Sequence, residues 1–183
     1  MPLVAVLSSG CLEELLQLRP CDVYETQGIW VIDIGADGAQ VKTPLRPRLV
    51  LVHSQLKKLG FLEYIAECAR KVQALVFPGF LAAGPDQRFG HTYTRFWTEY
   101  RRQIGYYARG ADFHALRHSV NTRLVNAGVS QIIIRQIMGH AQQGMTGKVY
   151  NSGIELAACA EAIEKLRYDS CINFDELAQR AGR

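Results

Sequence analysis

Residues 112–140, DFHALRHSVNTRLVNAGVSQIIIRQIMGH, confine this part of the chain to two helices joined by a short turn. Asp112 suits a helix N-cap and Gly128 the left-handed residue after a helix end; Leu116, Val120, Leu124 and Ala127 recur at i, i+4, i+8 and i+11 as a buried stripe. Ser130 opens the second helix, its isoleucines supply a core face, and Gly139 stops it. His114, Arg117 and His118 are then left on a neighbouring face, with His140 just past the second helix. Any one of these is explained as a half-exposed polar residue. As a group they suggest an anion, because side chains at i, i+3 lie one turn apart and the guanidinium fork matches a phosphate.

The remaining sequence fits a globular domain. The 183 residues suffice for one domain with a real core, and 48% hydrophobic against 21% charged residues, with apolar runs broken by turn signals, exclude a disordered chain and a membrane span. The N-terminal MPLVAVLSSGC is apolar, but no basic residue precedes it and it is too short to cross a bilayer, so it reads as the inside of a domain that starts abruptly. Cys11, Cys21, Cys68, Cys159 and Cys171 are odd in number, scattered and free of any C-x-x-C, which fits reduced thiols in a cytoplasmic protein and no structural metal. A net charge of +4 is compatible with a nucleic-acid partner without requiring one, and the basic runs alone read as solvated faces.

Along the chain, LEELLQL (12–18) predicts a helix ended by Arg19-Pro20. GIWVIDI and AQVKTP flank the turn GADG, and RLVLVH supplies a third strand, so that residues 23–53 read as a small antiparallel sheet with Lys42 near a turn. A helix interrupted once by glycine runs from Ser54, a Pro/Gly loop follows, and TYTRFWTEYRRQIGYY (92–107) is a helix whose aromatics read as core. A last helix is expected from about Ser152. The fold class is mainly α with a small three-stranded antiparallel β-sheet (α+β).

H-x-x-R-H, then a helix closing in Gly-His, then Tyr150 ten residues later, resembles the catalytic signature of the tyrosine recombinase (phage integrase) family. The likeness continues in order over nearly the whole chain: SSGCLEELLQLRPCDV is similar to the family's opening helix, VKTPLRPRLVLVH to its lysine-bearing strand turn, and MGHAQQGMTGKVY to its closing motif.

The resemblance implies a single integrase-type catalytic domain over residues 1–183, without the N-terminal helical domain that clamps the other face of the duplex. It implies site-specific DNA recombination or integration through a 3′-phosphotyrosine intermediate, with no cofactor and no metal. By motif position Tyr150 is the nucleophile, Arg117 and His140 contact the scissile phosphate, His114 assists proton transfer and phosphate binding, and Lys42 is the general acid. His118, Arg46 and Arg48 are expected on the DNA. Double-stranded DNA is the expected partner, the location bacterial, cytoplasmic and DNA-associated, with a prophage origin in view. The helical tail 152–183 is a candidate for exchange between protomers of a homo-oligomer.

One residue departs from the family pattern. The first motif has an arginine three residues before a glutamate, and counting back from Glu14 lands on Cys11. A recombinase fold acting only as a DNA-binding remnant therefore stays open. So does a helix-turn-helix module with SQIIIRQ in a major groove, although three isoleucines leave few side chains to read bases. A zinc hydrolase would use His114, His118 and His140, but it lacks the H-E-x-x-H glutamate and places Arg117 beside the dication.

Overall fold

Proline at the first helical position has no hydrogen bond to lose, and PLVAVLS forms α1 (Pro2–Ser8), whose residues from Val4 to Ser8 are all buried. The computed structural model describes residues 1–34, 48–139 and 155–181. After α1 come α2 (Leu12–Leu16), a 3-10 turn (Pro20–Asp22), β1 (Val23–Thr26), β2 (Ile29–Ile34) and β3 (Arg48–Leu51). The helices α3 (Ser54–Lys58), α4 (Phe61–Arg70), α5 (Phe89–Gln103), α6 (Phe113–Asn126), α7 (Gln131–Met138), α8 (Leu156–Ile163) and α9 (Phe174–Ala181) complete the described chain.

The sheet has the order β1-β2-β3, with both pairs antiparallel, Val23 opposite Ile32 and Val31 opposite Leu51. Its first hairpin turns at Gln27-Gly28, where both residues have positive φ (53° and 75°), as a two-residue loop matched to strand twist requires. The sequence reading took Asp-Gly of GADG as its turn signal and named no strand at β1 or turn at Gln27-Gly28. GADG and AQVKTP lie outside the described residues. The third strand is found where expected, ending at Leu51.

The expected helix from Ser54 is split into α3 and α4 at Gly60, whose φ of 78° no helix accommodates. In α5 the aromatic stripe is only partly core. Tyr93 is 2% exposed among Phe80, Trp97 and Phe113, whereas Phe96 and Tyr100 lie about half in solvent. α8 begins at Leu156 and buries Cys159, Ala162 and Ile163 against α7, β2 and β3 of its own chain. Among the described residues no helix is long and apolar enough to cross a membrane.

The buried face of α6 corrects the expectation most informatively. Val120 and Leu124 are buried as expected, but Phe113 and Arg117 complete the stripe, while Leu116 is half-buried and Ala127 exposed. Arg117 therefore sits on the inward side, while His114 and His118 are exposed. The caps are as read: Asp112 Oδ1 accepts the Ala115 N–H at 3.0 Å, Ser130 Oγ accepts that of Ile133 at 3.4 Å, and Gly139 ends α7 with a φ of 64°.

Candidate active site

Three helix ends meet around Arg117. α1 finishes at Ser9 in the left-handed conformation (φ 61°), which turns its carbonyl toward α6. Arg117 Nη1 donates to that carbonyl at 2.6 Å, and Nη2 donates to the carbonyl of Met138 at the end of α7. Ser9 Oγ donates to the Ile137 carbonyl at 3.0 Å, closing the loop of contacts. These oxygens are the acceptors a helix C-terminus leaves unused, and they are where a cation is stabilised. Burial lowers the pKa of Arg117, and the nearby Arg48 charge adds to this while Glu14 opposes it, but a guanidinium keeps its proton at neutral pH.

The start of α2 faces this arginine. Gly10 is required there, since a Cβ would lie 2.6 Å from Cδ2 of the fully buried Leu15. Cys11 is the N-cap, and its N–H donates to Glu14 Oε2 at 2.7 Å. Burial, and then the Glu14 charge, raise the thiol's pKa, so position 11 presents a neutral SH.

Glu13 and Glu14 fix the flanks. Glu13 Oε1 and Oε2 accept the N–H groups of Phe89 and Gly90 at 3.0 and 2.9 Å, placing a carboxylate on the N-terminus of α5. Glu14 receives both terminal nitrogens of Arg48, Nη1 at 2.7 Å and Nη2 at 2.8 Å. Burial alone would push the Glu14 carboxyl up; the bonded Arg48 guanidinium and the Cys11 N–H more than offset this and hold it low. Arg48 was expected on the DNA. The structure instead places its side chain inside, 3% exposed, packed where a Cβ on Gly139 would come within 2.8 Å of its Cδ. An arginine beginning a strand is as readily drawn to a buried carboxylate as to a phosphate, and spacing does not distinguish the two.

Cys11, His114 and Arg117 line one cavity of about 180 Å³, together with Arg101 of α5 and Asp112. It adjoins a wider groove of about 690 Å³ along α5, edged by His114, Arg88, His91, Arg95 and Arg102. The rings of His114 and His118 meet edge to face at 4.7 Å. Lys42, Arg46, His140 and Tyr150 lie outside the described residues. Sequence reasoning missed the tasks of Ser9, Glu13 and Arg101. A glutamate immediately before the motif glutamate was the one available signal for Glu13.

A mainly helical domain with a three-stranded sheet beside helix ends carrying this histidine and arginine has the architecture of a tyrosine recombinase catalytic domain. The Phage integrase family model matches residues 9–154, and the chain belongs to that family. Two crystal structures of the XerH site-specific recombinase are similar in fold, each at 20% identity. The pre-cleavage complex bound to difH substrate has a TM-score of 0.52 over 77% of this chain and 38% of that one. The post-cleavage complex bound to palindromic difH has a TM-score of 0.54 over 88% and 43%. The chain thus spans about two fifths of the length of these structures. No curated protein matches it.

Proposed function

We propose that this domain cleaves and rejoins DNA strands in site-specific recombination, through a covalent tyrosine-phosphate link. The convergence of His114 and Arg117 on one cavity at the start of α2 carries the reading. The Tyr150 oxygen attacks the phosphorus in line and its proton passes toward His114. The bond to the 5′ oxygen breaks, and Lys42 supplies the proton that oxygen takes up. The 3′-phosphotyrosine so formed is undone by the same exchange in reverse when a 5′ hydroxyl attacks, so no bond energy is lost to water. Arg117 and His140 stabilise the charge that builds on the nonbridging oxygens. His118 and Arg46 are assigned to the flanking DNA, and double-stranded DNA is the partner.

Cys11 favours a second reading, in which the domain binds DNA without cutting it. A neutral thiol gives the phosphate no charge, and losing one such transition-state contact lowers the rate by about 10² to 10³. Trapping separates the two. Supercoiled plasmid is incubated with the protein, with Cys11→Arg and with Tyr150→Phe, quenched in detergent, and any DNA-linked peptide mapped by mass spectrometry. An adduct on Tyr150 that increases with Cys11→Arg and vanishes with Tyr150→Phe is expected. Salt-sensitive DNA binding with no adduct in either active-tyrosine form would leave the binding remnant as the function.

A further inference from the structure

We propose that Arg101, from α5, supplies to the phosphate the second guanidinium that position 11 lacks. The inference rests on the reading of the cavity beside Cys11 as the phosphate site, and it adds a residue that no motif spacing picks out.

Arg88, Arg95 and Arg102 edge the adjoining groove, whereas Arg48 and Arg101 lie closer to Arg117 and differ in what they can give. Arg48 has both terminal nitrogens on Glu14, so the pair is neutral as a unit, and Arg48 does not line the cavity. Arg101 does line it, together with Arg117 and His114. Among the described residues no carboxylate pairs with Arg101; its hydrogen bonds go from Nε to the Trp97 carbonyl at 3.4 Å and from Nη1 to the Ala111 carbonyl. Main-chain carbonyls orient a guanidinium without cancelling its charge. The group is 92% buried as a residue and lies over the Trp97 and Tyr107 rings, 5.6 and 5.5 Å from their centroids. Those contacts leave it positioned in advance, which is how a cation is most effective toward a developing negative charge.

The charge balance of the cavity points the same way. Its lining brings two arginines and a histidine against one carboxylate, Asp112, whose Oδ1 is engaged by the Ala115 N–H. Arg101 also joins α5 to the residue preceding the α6 cap, so it and His114 are held by the same turn. The exchange of an arginine for a cysteine at position 11 removes a long side chain from the α2 side, and Arg101 faces the resulting space from the α5 side. A phosphodiester entering there meets the Arg117 and Arg101 guanidinium groups together.

The test uses inorganic phosphate as the probe on the intact chain, with the guanidinium nitrogen resonances followed by NMR. The Arg101 and Arg117 signals are expected to shift together along one binding curve. Arg101→Gln should weaken phosphate binding by about 10- to 100-fold, the value of a charge-assisted hydrogen bond, with Arg101→Lys intermediate. A shift of Arg117 with Arg101 unmoved overturns the assignment and leaves the phosphate site standing. A shift of neither overturns the site as well. The unsubstituted protein decides both cases, so a variant that fails to fold does not weaken the test. In the trapping assay, Arg101→Gln should lower adduct formation far more beside Cys11 than beside Cys11→Arg; equal losses in the two backgrounds would contradict compensation.

Discussion

Arg48 and Glu14 form a two-bond ion pair, 2.7 and 2.8 Å, between the first residue of β3 and the third residue of α2. It is buried on both sides and sits directly under the loop that carries Cys11. Removing one partner leaves the other charged and unsolvated, so Arg48→Met and Glu14→Gln should each destabilise by about 3–5 kcal/mol, and the double variant by less than their sum. Urea unfolding of the four-member cycle reads this directly. The pair also fixes a pH dependence. The Glu14 pKa is depressed from its ordinary 4.5, so its contribution is fully present above that value and is lost as the pH falls through the lower folded value. Stability of the protein relative to Arg48→Met should converge on acidification.

Gly139 tests how closely Arg48 is packed. Its φ of 64° disfavours any side chain by about 1–2 kcal/mol, and a Cβ would in addition meet Arg48 Cδ at 2.8 Å. Gly139→Ala should therefore destabilise the domain by more than the conformational term alone. Combining it with Arg48→Met should remove the steric part and leave the backbone part. Additive thermal shifts in the double variant would show that the two positions do not press on each other.

What the sequence could and could not reveal follows from the kind of signal each residue gives. Helix caps are local, and Asp112, Ser130 and Gly139 were legible because one residue type satisfies one orphaned group. The glycine break at Gly60 is of the same kind. β1 was not legible, because Gln27-Gly28 is a weak turn pair and VYET carries little alternation. Arg117 was found by motif but placed on the wrong side of its helix: a periodicity argument assigns arginine to the outside, whereas here the carbonyls of Ser9 and Met138, from elements 108 and 21 residues away, satisfy it within. Glu13 and Arg101 act through partners remote in sequence, on which spacing is silent. Lys42, His140 and Tyr150 rest on the family pattern alone.

The same bridge makes Arg117 a structural as well as a chemical residue. Lysine retains the charge but offers a compact head that cannot span two carbonyls set at separate helix ends. Arg117→Lys should lose about 1–3 kcal/mol of stability from an acceptor left buried without its donor. Hydrogen exchange should then locate the loosening at the ends of α1 and α7. A uniform loss of protection across the sheet instead would mean that the bridge is not local.

Glu13 holds α5, and with it the basic edge of the groove. Its two oxygens take the first two helical N–H groups, a role close to that of a capping side chain, so Glu13→Ala should destabilise by about 0.5–2 kcal/mol. Exchange at Phe89 and Gly90 should accelerate while that of the α6 amides does not. Gly90 adds a second check, because a Cβ there would lie 3.0 Å from Glu13 Oε2. Gly90→Ala should reproduce part of the Glu13→Ala effect.

His53 should make stability fall at mildly acidic pH. The side chain is fully buried; Nδ1 accepts the Gln55 N–H at 3.0 Å and Nε2 faces the Leu166 carbonyl at 3.2 Å. A main-chain N–H can only donate and a carbonyl only accept, so both contacts are satisfied by the neutral ring with its proton on Nε2. A proton on Nδ1 would oppose the Gln55 N–H and undo the cap of α3. Burial lowers the His53 pKa below 6.5; Glu164, with Oε2 3.8 Å from Nδ1, and Asp169 act the other way, and Arg167 adds to the lowering. Above 6.5 the ring is neutral in both states and its contribution is complete. As the pH falls below 6.5 the unfolded chain takes up the proton first, so stability declines until the lowered folded value is passed. The slope in that window should be positive and stay below the one-proton limit of about 1.4 kcal/mol per pH unit. Urea midpoints measured from about pH 7.5 to about pH 5.5 should show it, and His53→Asn should be flatter over the same range. Because Glu164 also accepts the Ser54 N–H and hydroxyl at 2.7 and 2.6 Å, the acid loss should be accompanied by faster exchange at the end of α8. An equal slope in His53→Asn would place the titrating group elsewhere.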